Sequence, residues 1–358
     1  MTRSTQPKEE EGTGAFRALI DDVRADVDAR LEAWLEPRVT AALAVSADVG
    51  AAARIVAEFT RRGGKRVRPA LVACAFEGHG GAPRGDCAPA MLAVELLQTY
   101  LLIHDDWMDD DDLRRGGPAV HVIFRERMSS RSRGDAMAIL AGDLAAGYAQ
   151  EALLSSDLPP LHTARAARAF ARMQVEVVTG QIAEFCAVAG EAVPVETIHA
   201  LKTASYTVTG PLLLGATLAG ADDARCAELA RFGRPLGIAF QLRDDLLGVF
   251  GDPAVTGKPV AKDLAEGKQT LLVAEGRKDP RTADALGRVL GDRAARAEDL
   301  AAAAALLEAS GARRRVEERV AALCGEARAA LDVLAPGITV RARRELAGAI
   351  TALGERAS

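Results

Sequence analysis

The residues in this chain best suited to chemistry are six aspartates, Asp105, Asp106 and Asp109 to Asp112. The apolar run Leu101-Leu102-Ile103 leads into them, and Arg114-Arg115-Gly116 follows. On a helix, Asp105 and Asp109 stand one turn apart on one face. Like charges at that spacing repel, and aspartate is a poor helix former, so the cluster carries a cost. A solvated acidic patch tolerates it, because repulsion is weak in water. Hard divalent cations also tolerate it, because carboxylate oxygens are what Mg²⁺ binds. The apolar run upstream favours the cations, since it sets the aspartates at the end of a buried helix.

A second pair, Asp244-Asp245, lies in the apolar stretch Phe240 to Phe250, with Gln241 one turn ahead on the same face. One such pair is usually a solvated edge. Two pairs, each embedded in an apolar helix, argue for a shared metal site.

The cations are as informative. The chain has no asparagine, and only seven of its 45 basic residues are lysines, so each lysine stands out. Gly63-Gly64-Lys65-Arg66-Val67-Arg68-Pro69 sets two glycines beside three cations, an anion-binding arrangement. Lys202-Thr203 interrupts an apolar helix, and Gly257-Lys258 is followed by Lys268. Any one of these reads as a surface charge, but together they take four of the seven lysines. Gly251 to Lys258 does not make a phosphate loop, because Pro259 stands where that loop needs Ser or Thr. Gln181 and Glu184 share a helical face and read equally as a polar stripe or a site. His104 reads as a hydrogen-bonded helix histidine rather than a base, and the five scattered histidines suggest no zinc site.

These groups need elements to position them. At 358 residues and 49% hydrophobic, the chain can bury a large core. Helical periodicity runs through Phe16–Leu43, Ile55–Phe59, Met91–His104, Ala136–Leu154, Ala164–Cys186, Thr197–Ala219, Ala224–Phe250 and Val316–Leu334, and no run alternates like a strand. Pro211 and Pro235 should kink their helices or mark first turns. We expect an all-α fold: a disordered tail over residues 1–14, then a single large helical bundle over 15–358 with a central apolar cavity. A net charge of −5 argues against nucleic acid. Five dispersed cysteines suggest a reduced, cytoplasmic setting, and the polar N-terminus lacks a signal-peptide core. The longest nearly apolar stretch, Gly210 to Ala221, is too short to span a membrane. Two carboxylate pairs, clustered cations and an apolar interior suit a metal-held diphosphate with a hydrocarbon tail.

At this point the sequence resembles the trans-isoprenyl diphosphate synthase (polyprenyl synthetase) family, in particular its geranylgeranyl-forming members. The motifs run in family order from about Phe59 to Leu272. They are GGKRxRP at Gly63 to Pro69, DDxxD at Asp105 to Asp109 with Arg114-Arg115-Gly116, Lys202-Thr203, FQxxDD at Phe240 to Asp245, and a tail through Gly257-Lys258, Asp263-Leu264 and Glu266-Gly267-Lys268.

The resemblance implies three Mg²⁺ ligated by Asp105, Asp109 and Asp244, with Asp106 and Asp245 in support. Arg114, Lys202 and Lys258 would contact the allylic diphosphate (dimethylallyl, geranyl or farnesyl), and Lys65, Arg68, Gln98 and Arg115 would hold isopentenyl diphosphate. Thr203, Gln181, Gln241 and Lys268 would complete the site. The implied reaction is head-to-tail condensation, and the implied assembly is a homodimer. Three positions depart from the family pattern: Gly248 stands where many members have a third Asp, Gln98 where many have His, and Glu184 where Asp is usual.

Product length is read from the helix before Asp105. Residues there sit deeper by about 1.5 Å each, which makes Leu101, Tyr100 and Leu97 candidate walls. One aromatic at Tyr100 and no extra residue between Asp106 and Asp109 resemble the geranylgeranyl type, so a C20 product is expected, with C15 as the alternative. Tyr100 packing only in the core is the plainer reading. A terpene cyclase would need Asn in its second metal motif, and the chain has none. A non-catalytic subunit of a heteromeric synthase should have lost carboxylates or cations, and this chain retains both.

Overall fold

The computed structural model describes residues 6–188, 193–251 and 261–355. Its helices are α1 (Gln6–Val45), α2 (Ala47–Arg61), α3 (Val67–Gly78), α4 (Ala88–Met108), α5 (Val120–Met128), α6 (Arg131–Leu154), α7 (Pro160–Val188), α8 (Val195–His199), α9 (Gly210–Leu218) and α10 (Asp223–Phe250). Further helices span Lys262–Ala265, Leu271–Gly276, Pro280–Val289, Ala297–Ala309, Ala312–Leu334 and Val340–Ile350. Among the described residues the only strands are the two-residue pair Leu113–Arg114 and Gly117–Pro118, so the fold is all-α. Contacts divide the chain into two compact units. One is Arg17–Ala169 with Pro211–Asp222, and the other is Met1–Phe16 with Phe170–Gly210 and Asp223–Ser358.

The first unit is built around α4. Every residue from Ala90 to Leu97 is buried, as expected of a helix that is apolar all round. From Gln98 onward partly exposed positions outnumber the buried Thr99, Ile103 and Asp106, so the aspartates do stand at the end of a buried helix. α6 packs along α4 through small residues: Ala138, Ala141, Gly142, Ala145, Ala149 and Ala152 are all buried. Without larger side chains the two backbones come close, and Phe59, Phe124 and Ile103 fill the flanks. Each such buried side chain contributes about 2 kcal/mol. The stretch Arg84–Met108 is long and apolar enough to cross a membrane, but 67% of its apolar window is buried in the protein, which marks a core helix. It is a longer apolar helix than the Gly210–Ala221 stretch picked out from sequence, because Glu95, which interrupts the run, is buried against Arg66.

In the second unit α10 lies against both the Ala200–Thr209 segment and the Ala312–Leu334 helix. Glycines permit the first contact: a Cβ on Gly237 would lie 2.4 Å from the Ala204 Cβ. The expected Thr197–Ala219 helix is broken up, because Ala200–Thr209 is π-helical and runs into Gly210-Pro211. Pro211 lacks the amide hydrogen that would continue the ladder there. α10 instead runs through the buried Pro235. α1 begins at Gln6, inside the stretch 1–14 expected as a tail. There Thr13 is buried, and Gly12 meets Gly348 closely enough to exclude any side chain at 348.

Candidate active site

In the first unit the DDxxD residues close α4. Asp105 and Asp109 are half-buried, one turn apart, and Asp109 caps the helix by donating its N–H to the Asp105 carbonyl at 2.9 Å. Asp106 differs from both, being fully buried. Its Oδ1 accepts from Arg114 Nε at 2.7 Å, while its Oδ2 has no partner. Burial pushes its carboxyl up to about 6 against the opposing pull of Arg114, with Asp105 and Asp111 adding to the rise. Further along the acidic run, Asp111 approaches Arg114 at 3.6 Å. Asp110 is paired with Arg125 at 2.9 Å and Arg131 at 3.2 Å, and Arg125 holds its carboxyl below the usual range.

The hairpin after α4 turns at Arg115 and Gly116, both with positive φ, the backbone required by a two-residue turn. This turn carries the Arg115 guanidinium to the Gly63 carbonyl and against Gly64. The three cations of Gly63 to Pro69 separate by burial. Arg66 is buried and tied to Asp28 and Glu95, which makes it structural. Lys65 is exposed, and Arg68 is half-buried and donates to the Gln98 side-chain oxygen. Burial lowers the Arg115 guanidinium, and Arg66, Arg68 and Arg114 add to that effect against Glu95. Lys65, Arg68, Gln98 and Arg115 therefore gather around the two glycines as a cationic cradle.

His104 Nε2 donates to the Ile139 carbonyl, 2.9 Å away, in agreement with the hydrogen-bonded reading. Gly142 admits it, since a Cβ there would lie 2.2 Å from its Nε2. Tyr100 stacks edge-on against His104, centroids 4.8 Å apart, beside the Phe59 and Phe124 cluster. Leu97 is fully buried and Leu101 half-buried.

In the second unit the same pattern recurs on α10. Asp244 is exposed and Asp245 is buried. Thr203 Oγ1 donates to Gln241 Oε1 at 2.8 Å, and Gln241 Nε2 donates to Asp245 Oδ1 at 2.8 Å. Burial raises the Asp245 carboxyl to about 8, opposed by the Gln241 bond and reinforced by Asp263 and Asp244. Lys202 pairs with Glu184, and α7 comes close enough for this because Gly180 has no side chain: a Cβ there would lie 2.3 Å from the Lys202 backbone nitrogen. The Gln181 amide nitrogen is buried without a partner. Lys268 pairs with Asp263 at 2.8 Å and Glu266 at 3.1 Å, and these charges raise its ammonium against the effect of burial. Lys258 lies outside the described residues.

Sequence reasoning gave no role to His199, left Glu184 open between a polar stripe and a site, and named Asp263 only within the tail motif. Their pairings with Asp245, Lys202 and Lys268 are visible only in the structure. A cleft of about 750 Å³ in this unit, lined by residues including Glu196, Arg234, Ile238 and Arg319, contains none of the predicted site residues.

The donor set fits Mg²⁺. Asp105 and Asp109 offer hard carboxylate oxygens one turn apart, and Asp106 Oδ2 and Asp245 Oδ2 are buried without a hydrogen bond. No three acidic, histidine or cysteine side chains among the described residues form an ion cage by themselves.

Residues 51–307 match the model of the family described as polyprenyl synthetase. The chain is 36% identical over 322 residues to the (2E,6E)-farnesyl diphosphate synthase of Mycobacterium tuberculosis, covering 88% of this chain and 83% of that one. It is 39% identical over 273 residues to the geranylgeranyl diphosphate synthase of the same organism, covering 72% and 73%. Among solved structures, a geranylgeranyl pyrophosphate synthase from Corynebacterium glutamicum, complexed with isoprenyl diphosphate and magnesium, superposes with a TM-score of 0.86 at 33% identity. That match covers 94% of this chain and 99% of that one.

Proposed function

This chain belongs to the polyprenyl synthetase family and is a trans-prenyl diphosphate synthase, and from that premise we propose that it makes geranylgeranyl diphosphate from isopentenyl diphosphate and an allylic diphosphate. One observation carries the assignment of roles. In each aspartate pair the outer carboxylate, Asp105 or Asp244, is accessible, while the inner one, Asp106 or Asp245, is buried and held by neighbours. Accessible carboxylates suit metal ligation, and held ones suit support.

Mg²⁺ on Asp105, Asp109 and Asp244, three ions in all, would neutralise the allylic diphosphate and make it a better leaving group. Arg114, Lys202 and Lys258 would steady that diphosphate, with Thr203, Gln241 and Lys268 keeping the second pair in order. Lys65, Arg68, Gln98 and Arg115 would hold isopentenyl diphosphate by its own diphosphate. The allylic carbon–oxygen bond breaks, the isopentenyl double bond attacks the resulting cation, and a proton leaves to restore the alkene.

A C20 product is favoured by Tyr100 as the one aromatic ahead of Asp105, with Leu101 beside it. C15 is the second reading, favoured by the similarity to a farnesyl diphosphate synthase. We also propose a homodimer, supported by an exposed apolar stripe on α7, Val175, Val178, Ile182 and Phe185, at the spacing of one helical face. The five free cysteines fit a cytoplasmic setting. The test is to incubate the protein with Mg²⁺, labelled isopentenyl diphosphate and each allylic starter. A C20 product is expected, and a product ending at C15 with every starter would refute the length assignment.

A further inference from the structure

We propose that His199 is a positioning residue for the second aspartate pair, fixing the Asp245 carboxylate from α8 while Gln241 fixes it from α10. This inference rests on the functional reading above. Both groups are buried, His199 at 7% and Asp245 at 4% exposure. Asp245 Oδ1 is taken by Gln241 Nε2 at 2.8 Å. Oδ2 has no hydrogen bond, and His199 Nε2 comes to it at 3.3 Å. A carboxylate gripped at one oxygen still rocks about its last side-chain bond. Gripped at both, it has one orientation.

The two holds come from different elements, and each is itself anchored. Gln241 is oriented by the Thr203 hydroxyl at 2.8 Å. α8 is pinned one turn before His199, where Glu196 accepts two bonds from Arg319 at 2.7 and 2.9 Å. His199 Nδ1 is buried without a partner, so the ring approaches Asp245 by its Nε2 side, and a neutral ring with its proton there needs only a small turn to donate to Oδ2. His199 also lies one turn before Lys202, so a single run of chain carries a proposed diphosphate contact and the brace for the proposed metal pair. With Asp245 locked, its neighbour Asp244 is left as the carboxylate that meets the ion.

A core histidine that merely fills space would affect stability and nothing else. The experiment therefore compares His199→Gln, which retains a donor near the Nε2 position, with His199→Leu, which does not. Mn²⁺ binding is read by electron paramagnetic resonance in the presence of inorganic pyrophosphate, alongside the Michaelis constants for both substrates and the melting temperature. If the wild-type protein binds no Mn²⁺, the functional reading itself fails. Given wild-type binding, His199→Leu should weaken Mn²⁺ affinity and raise the allylic Michaelis constant by about tenfold, the effect of losing one hydrogen bond to a charged group. The constant for isopentenyl diphosphate should stay put, and His199→Gln should recover most of the loss. Equal impairment of Gln and Leu variants, or a lowered melting temperature with unchanged Mn²⁺ binding, would overturn the proposal. If His199→Leu does not fold, Thr203→Val tests the same brace from its other end and should reproduce the Mn²⁺ loss; normal Mn²⁺ binding there counts against the brace.

Discussion

The carboxylate of Asp263 fills the space that any side chain at Gly248 would need: a Cβ built on Gly248 would lie 1.9 Å from Asp263 Oδ2. Asp263 arrives from the short helix Lys262–Ala265, is buried, and is held by Lys268 at 2.8 Å. The absence of a side chain at Gly248 is therefore what leaves room for this carboxylate from another element. Gly248→Ala should displace Asp263 and cost about 1–3 kcal/mol, the usual penalty of overpacking. A melting temperature equal to that of the wild type would show that the helix Lys262–Ala265 yields freely.

Asp105→Ala and Asp244→Ala should each lower turnover by roughly 10²-fold or more while the fold survives, because each removes an accessible hard oxygen from a preorganised charge cluster. Circular dichroism checks the fold and steady-state kinetics the rate. Near-normal turnover at saturating Mg²⁺ in either variant is the outcome that would remove metal ligation from these residues.

The cation clusters should separate the substrates. Lys65→Ala is expected to raise the Michaelis constant chiefly for isopentenyl diphosphate, since Lys65 stands exposed beside the Arg68, Gln98 and Arg115 cradle. Lys202→Ala should act chiefly on the allylic substrate. Equal effects of both variants on both constants would mean that the division is wrong.

Tyr100→Ala should lengthen the products and Leu101→Phe should shorten them toward C15. Tyr100 leans on His104 and the Phe59 and Phe124 cluster, so its truncation also loosens that packing, and a modest loss of stability is expected with it. Chromatography of the extracted products gives the lengths. Unchanged products from two folded, active variants would put the floor of the chain elsewhere.

Without divalent ions the buried Asp245 should make stability depend on pH. Its carboxyl is raised from 3.8 to about 8 in the folded protein, so the unfolded chain ionises first and the folded one keeps its proton. The unfolded state then binds fewer protons across that window, and stability falls as pH rises from about 4 to about 8. In chelator, Asp245→Asn should flatten that fall in melting temperature; a wild-type curve equally flat would show that Asp245 ionises normally.

The sequence by itself determined what depends on spacing along one helix. The apolar run into Asp105, the one-turn step to Asp109 and the Gln241–Asp245 face all follow from helical periodicity, and the structure retains them. So does the all-α class. Tertiary structure alone decided how those charges divide. Arg66 and Lys65 are neighbours of the same sign, yet one is buried against Glu95 and Asp28 and the other is exposed, because α1 and α4 bring carboxylates to only one of them. Asp106 and Asp245 became the held members of their pairs through Arg114 and Gln241, and Lys202 met Glu184 where Gly180 let two helices close. A motif records which groups are present at local spacing. Which of them is buried, paired or left accessible depends on the helix packed opposite, and that partner comes from distant parts of the chain with no periodicity linking the two.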